Sequence, residues 1–115
     1  MYLKSTERDK NSDIFFETSD PKVIVIMHAL HKMNSHIPDD IGVLGFDNVE
    51  LSSVIEPELS TVSQPFYDLG AVAAQDVIDQ IRLKNEKNRL PEPIHHILKH
   101  ELILRHSLKA GNNPV

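Results

Sequence analysis

The chain has 115 residues, a net charge of −5 with histidine neutral, 40% hydrophobic residues and 25% charged residues. This length allows one compact core, and the composition is typical of a soluble globular chain. The acidic balance without a basic cluster predicts no direct DNA binding. Disulfide scaffolds and thiolate chemistry are excluded because there is no cysteine. We also expect no membrane-spanning segment and a cytoplasmic location.

The first half of the chain predicts a strand, a helix and a second strand. An apolar run within residues 13–18 is typical of a short buried strand. Residues 19–21, SDP, form a helix start, and the helix should extend to about Asn34. The stretch 22–27 is rich in β-branched residues and could also form a strand, but the cap and the length favour a helix. Residues 41–46, IGVLGF, have the continuous apolar pattern of a parallel strand covered on both faces.

The second half predicts a strand, a helix and two short strands. Residues 51–58 are irregular, with room for one helical turn, before a strand at 59–63. A helix then opens at Pro65, and its apolar positions are Leu69, Val72, Ala73, Val77, Ile78 and Ile81. A stiff proline-containing connector precedes two strand-like clusters, at residues 97–98 and 102–104. The order β-α-β-β-α-β predicts an α/β fold with a mostly parallel sheet and flanking helices.

The motifs of common enzymes and cofactor sites do not occur in this sequence. Dinucleotide and phosphate-loop fingerprints are missing, and no serine lies in a glycine-flanked elbow. Of seven histidines, His28 and His31 share a helix face, whereas the neighbours His95 and His96 would point to opposite sides of a strand. We therefore predict no enzyme activity, no catalytic residue, no cofactor and no metal site.

Four phrases in register resemble a known family. They are FETSD at residues 16–20, IPDDIGVLGFD at 37–47, PELSTVSQP at 57–65 and ELILRHS at 101–107. In this order and spacing they resemble the C-terminal part of the effector-binding core of bacterial transcriptional regulators of the lactose/purine/galactose-repressor family. The resemblance extends over about residues 13–107. It departs from the family pattern at Val23, Val25 and Ser35, where the family prefers smaller residues.

The resemblance implies a partial, incomplete core of the periplasmic-binding-protein-like (type I) kind, in which two α/β subdomains close over a small ligand. The implied divisions are a polar lead-in at 1–12, a C-subdomain part at 13–64, an N-subdomain helix at 65–90, returning strands at 91–108 and a tail at 109–115. The implied function is that of a truncated sugar-sensing or sugar-phosphate-sensing module without its DNA-binding domain. The alternative is a fragment of a periplasmic sugar-binding transport protein.

The resemblance also implies ligand-contacting positions. Asp47 ends a predicted parallel strand, and ligands of open α/β sheets bind beyond such strand ends. Ser19, Asp20 and Gln64 match further ligand-contacting positions of the family. Each has a structural alternative: Asp20 could cap its helix, Asp47 could start a turn, and Gln64 could satisfy backbone groups. We expect a small-molecule effector as partner of the intact protein. Because the predicted core is incomplete, we also expect a homodimer or a domain-exchanged oligomer.

Overall fold

The computed structural model describes residues 2–3 and 13–109 and shows an α/β arrangement. The strands are β1 (Tyr2–Leu3), β2 (Ile14–Phe16), β3 (Gly42–Asp47), β4 (Ser60–Ser63) and β5 (Glu101–Ile103). The helices are α1 (Asp20–Lys32) and α2 (Phe66–Lys87), with a 3₁₀ turn at Glu50–Ser53. The predicted order of strands and helices is confirmed from β2 onward.

The five strands form one sheet in the order β1-β2-β3-β4-β5. The central strands β2, β3 and β4 are mutually parallel, whereas β1 and β5 pair antiparallel at the edges. The predicted, mostly parallel sheet is therefore confirmed. At the carboxyl end of the parallel strands, Asp47 of β3 lies opposite Ser63 of β4.

The chain divides into two compact units, one formed by Met1–Ser63 with Glu101–Val115 and the other by Gln64–His100. In the first unit, α1 packs on β3, and the buried apolar core consists of Val23, Met27, Val43 and Leu59. Val23 is fully buried and Val25 is exposed, so the two valines that depart from the family pattern occupy different environments. In the second unit, α2 has 22 residues and none of them is buried.

Three sequence predictions need correction. Residues 97–98 do not form a strand, because no strand in the described part of the chain pairs with this segment. Ile97 is accordingly 96% exposed. Within the predicted lead-in, Tyr2–Leu3 form an edge strand that the sequence did not predict, while residues 4–12 lie outside the described residues. Helix α1 ends at Lys32, two residues earlier than predicted. Asn34, the predicted last residue, has a left-handed φ of 57° and is not helical. The predicted tail lies outside the described residues after Lys109.

Candidate functional site

The carboxyl ends of β2, β3 and β4 carry a group of polar side chains from several segments of the first unit. Parallel strands expose their carboxyl ends at one edge of a sheet, and this edge is where α/β sheets bind ligands. Most of the polar side chains are linked by hydrogen bonds into what we call the strand-end network, which consists of Asp20, Asn48, Ser52, Thr61, Ser63 and Arg105.

Asp20 is the buried centre of this network. Its side chain is fully buried, and its two carboxylate oxygens accept three hydrogen bonds. Thr61 Oγ1 donates at 2.7 Å, Ser52 Oγ donates at 2.6 Å and the Val49 N–H donates at 3.0 Å. Asp20 therefore joins the start of α1 to β4 and to the segment that follows β3. It satisfies side chains and backbone from other parts of the chain, whereas a helix cap would satisfy only its own first turn.

Gly45 makes room for the buried carboxylate. A Cβ atom built on Gly45 would collide with Asp20 Oδ1 and would lie 2.9 Å from a methyl carbon of Leu59. Glycine inside a strand often marks such a close approach of another group. Gly45 is thus the feature of β3 that allows an acid to lie against the sheet.

Asp47 and Asn48 turn the chain away from β3 in an unusual backbone conformation. Their φ angles are 105° and 55°, a region that non-glycine residues rarely adopt and that asparagine and aspartate tolerate best. Both residues are partly buried. The Asn48 N–H donates to Thr61 Oγ1 at 3.3 Å, so the hydroxyl that binds Asp20 also contacts this turn.

Arg105 completes the network from the segment after β5. Its Nη2 donates to Asn48 Oδ1 at 2.8 Å, and its Nη1 donates to the Leu59 carbonyl at 2.8 Å. The nearby Ser107 hydroxyl is fully buried, donates to the Val43 carbonyl at 2.6 Å and accepts from the Ser60 N–H at 2.7 Å. The segment at 105–107 therefore connects the beginnings of β3 and β4 with the turn at the end of β3.

A further acid follows β2. The Glu17 carboxylate accepts from the Thr18 N–H at 2.9 Å and from the Thr18 hydroxyl at 3.0 Å. These hydrogen bonds, the backbone one first, hold the pKa of Glu17 below its usual value. The edge thus carries carboxylates, whose oxygens accept hydrogen bonds from hydroxyl groups.

The four predicted ligand-contacting residues have different surroundings. Asp47 lies at the end of β3, and Asp20 lies beneath the same turn, so the structure brings these two segments together. Ser19 is partly buried at the N-cap of α1 and makes no side-chain cap hydrogen bond, while its carbonyl accepts from the Lys22 and Val23 N–H groups. Gln64 is the first residue of the second unit, and its carbonyl accepts from the Phe66 N–H at 2.9 Å.

The residues that bind Asp20 and Asn48 in the network are not among the predicted site residues. In the sequence, Arg105 belongs to a family-like phrase and Thr61 to a predicted strand, and neither is predicted to bind another side chain. Two signals were available: a glycine inside the otherwise apolar β3, and hydroxyl residues at three of the four positions of β4. Both patterns indicate polar groups packed against the sheet.

A separate groove of about 560 Å³ lies along α1 and the loop that follows it. It has an apolar floor that includes Met27 and Ile37, and its rim carries His28, His31 and His36. Within residues 2–3 and 13–109, no three histidine or acidic side chains are arranged to hold a metal ion. Over the same residues, neither helix combines the length and apolarity needed to cross a membrane.

Comparison with known proteins identifies the family. The family model of the periplasmic binding protein-like domain matches residues 7–108. The chain belongs to this family. It is 39% identical over 101 residues to the ribose operon repressor of Halalkalibacterium halodurans, covering 88% of this chain and 29% of that protein. It is 36% identical over 70 residues to catabolite control protein A of Priestia megaterium, covering 61% of this chain and 21% of that protein.

Two solved structures of transcriptional regulators have a similar fold over most of this chain. The cellobiose complex of the transcriptional regulator CelR is similar at a TM-score of 0.73 and 26% identity, over 84% of this chain and 28% of that one. A LacI family regulator from Enterococcus faecium with bound ribose is similar at a TM-score of 0.69 and 27% identity, over 83% of this chain and 34% of that one. The resemblance to the effector-binding core of repressors is confirmed. The chain spans less than a third of the length of both curated relatives named above.

Proposed function

We propose that this chain is part of the effector-sensing core of a bacterial transcriptional regulator, and that the carboxyl end of β3 contributes to a sugar-binding site. The relatives are a ribose operon repressor and a catabolite control protein, and two similar structures hold ribose and cellobiose. These relatives favour the regulator over the alternative of a periplasmic transport protein. The proposed activity is binding without catalysis, and DNA binding is assigned to other parts of such regulators.

Asp47 carries this proposal. It ends a parallel strand at the edge where α/β sheets bind ligands, and it has a left-handed backbone conformation that the surrounding network supports. Backbone conformations of this kind cost free energy and are concentrated at functional sites. A carboxylate at this position can accept two hydrogen bonds from sugar hydroxyls.

The other predicted contacts fit the proposal to different degrees. Ser19 is only partly buried, so its hydroxyl is a further candidate contact, and Gln64 directly follows β4 along the chain. Asp20 is fully buried and already accepts three hydrogen bonds, which favours a supporting role over the direct ligand contact that the resemblance implies.

The test is a calorimetric titration of D-ribose and of cellobiose into the intact protein. We expect Asp47→Ala to weaken binding by about 2–4 kcal/mol, since a charge-assisted hydrogen-bond acceptor is lost. Asp47→Asn tolerates the same backbone conformation and retains one acceptor oxygen, so it should give a smaller loss. Asp39→Ala, which changes an exposed acid, serves as the matched control. Equal affinity in all four proteins would reduce Asp47 to a turn residue.

A further inference from the structure

The residue next to Asp47 is held from two sides by side chains of distant segments. Asn48 Oδ1 accepts from Arg105 Nη2 at 2.8 Å, and Asn48 Nδ2 donates to Ser63 Oγ at 3.3 Å. The Asn48 side chain is therefore restrained at both of its polar atoms. Restraint of this side chain restrains the backbone of the Asp47–Asn48 turn, since the two residues share a peptide plane.

Arg105 itself is anchored before it reaches Asn48. Its main-chain N–H donates to Ser60 Oγ at 2.8 Å, and its own carbonyl accepts from the same hydroxyl at 3.2 Å. One arm of its guanidinium binds the carbonyl of Leu59, which is fully buried. The planar guanidinium has a fixed geometry, so anchoring one arm also fixes the direction of the other. Arg105 therefore links the start of β4 to the turn after β3 by hydrogen bonds.

We propose that Arg105 is a positioning residue, which binds Asn48 and thereby keeps Asp47 in its left-handed conformation at the carboxyl end of β3. The inference about effector affinity rests on the function proposed above, whereas the inference about the turn does not. A φ of 105° is unfavourable for aspartate, so this conformation persists only where neighbouring groups restrain it. Thr61 restrains the Asn48 main chain, and Arg105 restrains its side chain.

Lysine is not equivalent to arginine in this role. The two contacts of the guanidinium come from different nitrogens, Nη1 to Leu59 and Nη2 to Asn48, both at 2.8 Å. An ammonium group is a compact charge without this planar fork, so Arg105→Lys can replace one contact but not both in the same geometry. The conservative variant therefore separates the role of the fork from the role of the charge.

The first measurement is amide hydrogen exchange by NMR in the intact protein, and it needs no ligand. We expect Arg105→Ala to accelerate exchange at Asn48 and Val49 at least tenfold, with less than a twofold change at Met27 in the core of α1. Arg105→Lys should lie in between and should shift the side-chain amide resonances of Asn48. Arg89→Ala, which removes an exposed arginine of the second unit, is the matched control and should leave the exchange rate at Asn48 unchanged.

Equal acceleration throughout the first unit would overturn the proposal, because it would show that Arg105 contributes only general stability. No acceleration at Asn48 and Val49 would overturn it as well. If Arg105→Ala does not fold, the comparison of Arg105→Lys with the unchanged protein decides between these outcomes. The shift of the Asn48 side-chain amide is informative here, since a uniform loss of stability would not select that group.

The second measurement is the affinity for D-ribose. Arg105→Lys should weaken ribose binding at least fivefold in the unchanged background, and it should have little further effect in the Asp47→Asn background. Faster exchange at Asn48 together with unchanged ribose affinity would overturn the inference about effector affinity and would support the inference about the turn. If the unchanged protein binds neither ribose nor cellobiose, the proposed function fails, and the exchange data still decide whether Arg105 fixes the turn.

Discussion

Replacing Asp20 tests whether the strand-end network supports the first unit. Asp20→Ala would leave three donors without their acceptor: the Val49 N–H and the hydroxyls of Ser52 and Thr61. A buried donor that loses its partner costs about 1–3 kcal/mol. The two hydroxyls can rotate toward other acceptors, so we expect a total loss of about 3–5 kcal/mol in the free energy of unfolding, less than the sum of three full penalties.

Asp20→Asn refines the same test. The amide retains one acceptor oxygen for the Val49 N–H and for Ser52, but its NH₂ group would face Thr61, which already accepts a hydrogen bond from the Asn48 N–H. The Thr61 hydroxyl hydrogen then loses its acceptor. We expect this variant to lose about 1–3 kcal/mol in the free energy of unfolding, less than Asp20→Ala, because two of the three hydrogen bonds are kept and only the one from Thr61 is lost.

The assay is urea unfolding followed by circular dichroism at one fixed protein concentration, since association would change the apparent stability. The control is Asp39→Ala, in which an acid whose side chain is 72% exposed and pairs with Lys109 is removed. An exposed ion pair of this kind contributes only about 0–1 kcal/mol. If Asp20→Ala loses no more than about 1 kcal/mol, the three hydrogen bonds to Asp20 contribute little to stability and the reasoning about the network is refuted.

Gly45→Ala should destabilise the chain by about 1–3 kcal/mol in urea unfolding, because the new Cβ would collide with Asp20. Gly70→Ala, whose new Cβ has no neighbouring atom within 4 Å, should stabilise α2 by about 0.5–1 kcal/mol. Equal changes in the free energy of unfolding for the two variants would contradict the steric argument. Hydrogen bonds from the His36 N–H and ring hold the pKa of Asp40 below its usual value. The stabilisation by this carboxylate should therefore be present at pH values above the usual pKa and should be lost as the pH falls through the lowered pKa. A carbon-detected NMR titration that gives an ordinary pKa for Asp40 would contradict this prediction. The exposed apolar positions of α2 should promote self-association of this chain in sedimentation experiments at micromolar concentration, and a single monomeric species with a sharp cooperative melt would argue against this.

The sequence predicted the elements whose signals are local. The proline after Asp20 and the cap pattern placed α1 despite its β-branched residues, and the continuous apolar run placed β3 as a central parallel strand. The cluster at 97–98 was misassigned because a strand needs a neighbour to pair with, and an apolar pair contains no information about that neighbour. The edge strand Tyr2–Leu3 was missed for the same reason, since its pairing with β2 is not encoded in two residues.

The candidate site was predictable only in part. Asp47 at the end of β3 could be located because the strand and the turn residues are adjacent in the sequence. The surroundings of Asp20 could not, because its three donors lie 29, 32 and 41 residues further along the chain. Nothing in the local pattern of residues 19–21 distinguishes a surface cap from a buried acceptor. Gly45, whose missing side chain makes space for Asp20, was the one local indication.

These separations along the chain also have a kinetic consequence. The hydrogen bonds to Asp20 require that the start of α1, the segment after β3 and β4 have all come together, and the bond from Ser107 to Val43 spans 64 residues. Contacts between such distant residues form only after long loops have closed, and loop closure costs chain entropy before the contacts contribute any stabilisation. We therefore expect the network to form on the native side of the folding barrier. Its hydrogen bonds would then slow the opening of the folded unit and leave the rate of its formation almost unchanged.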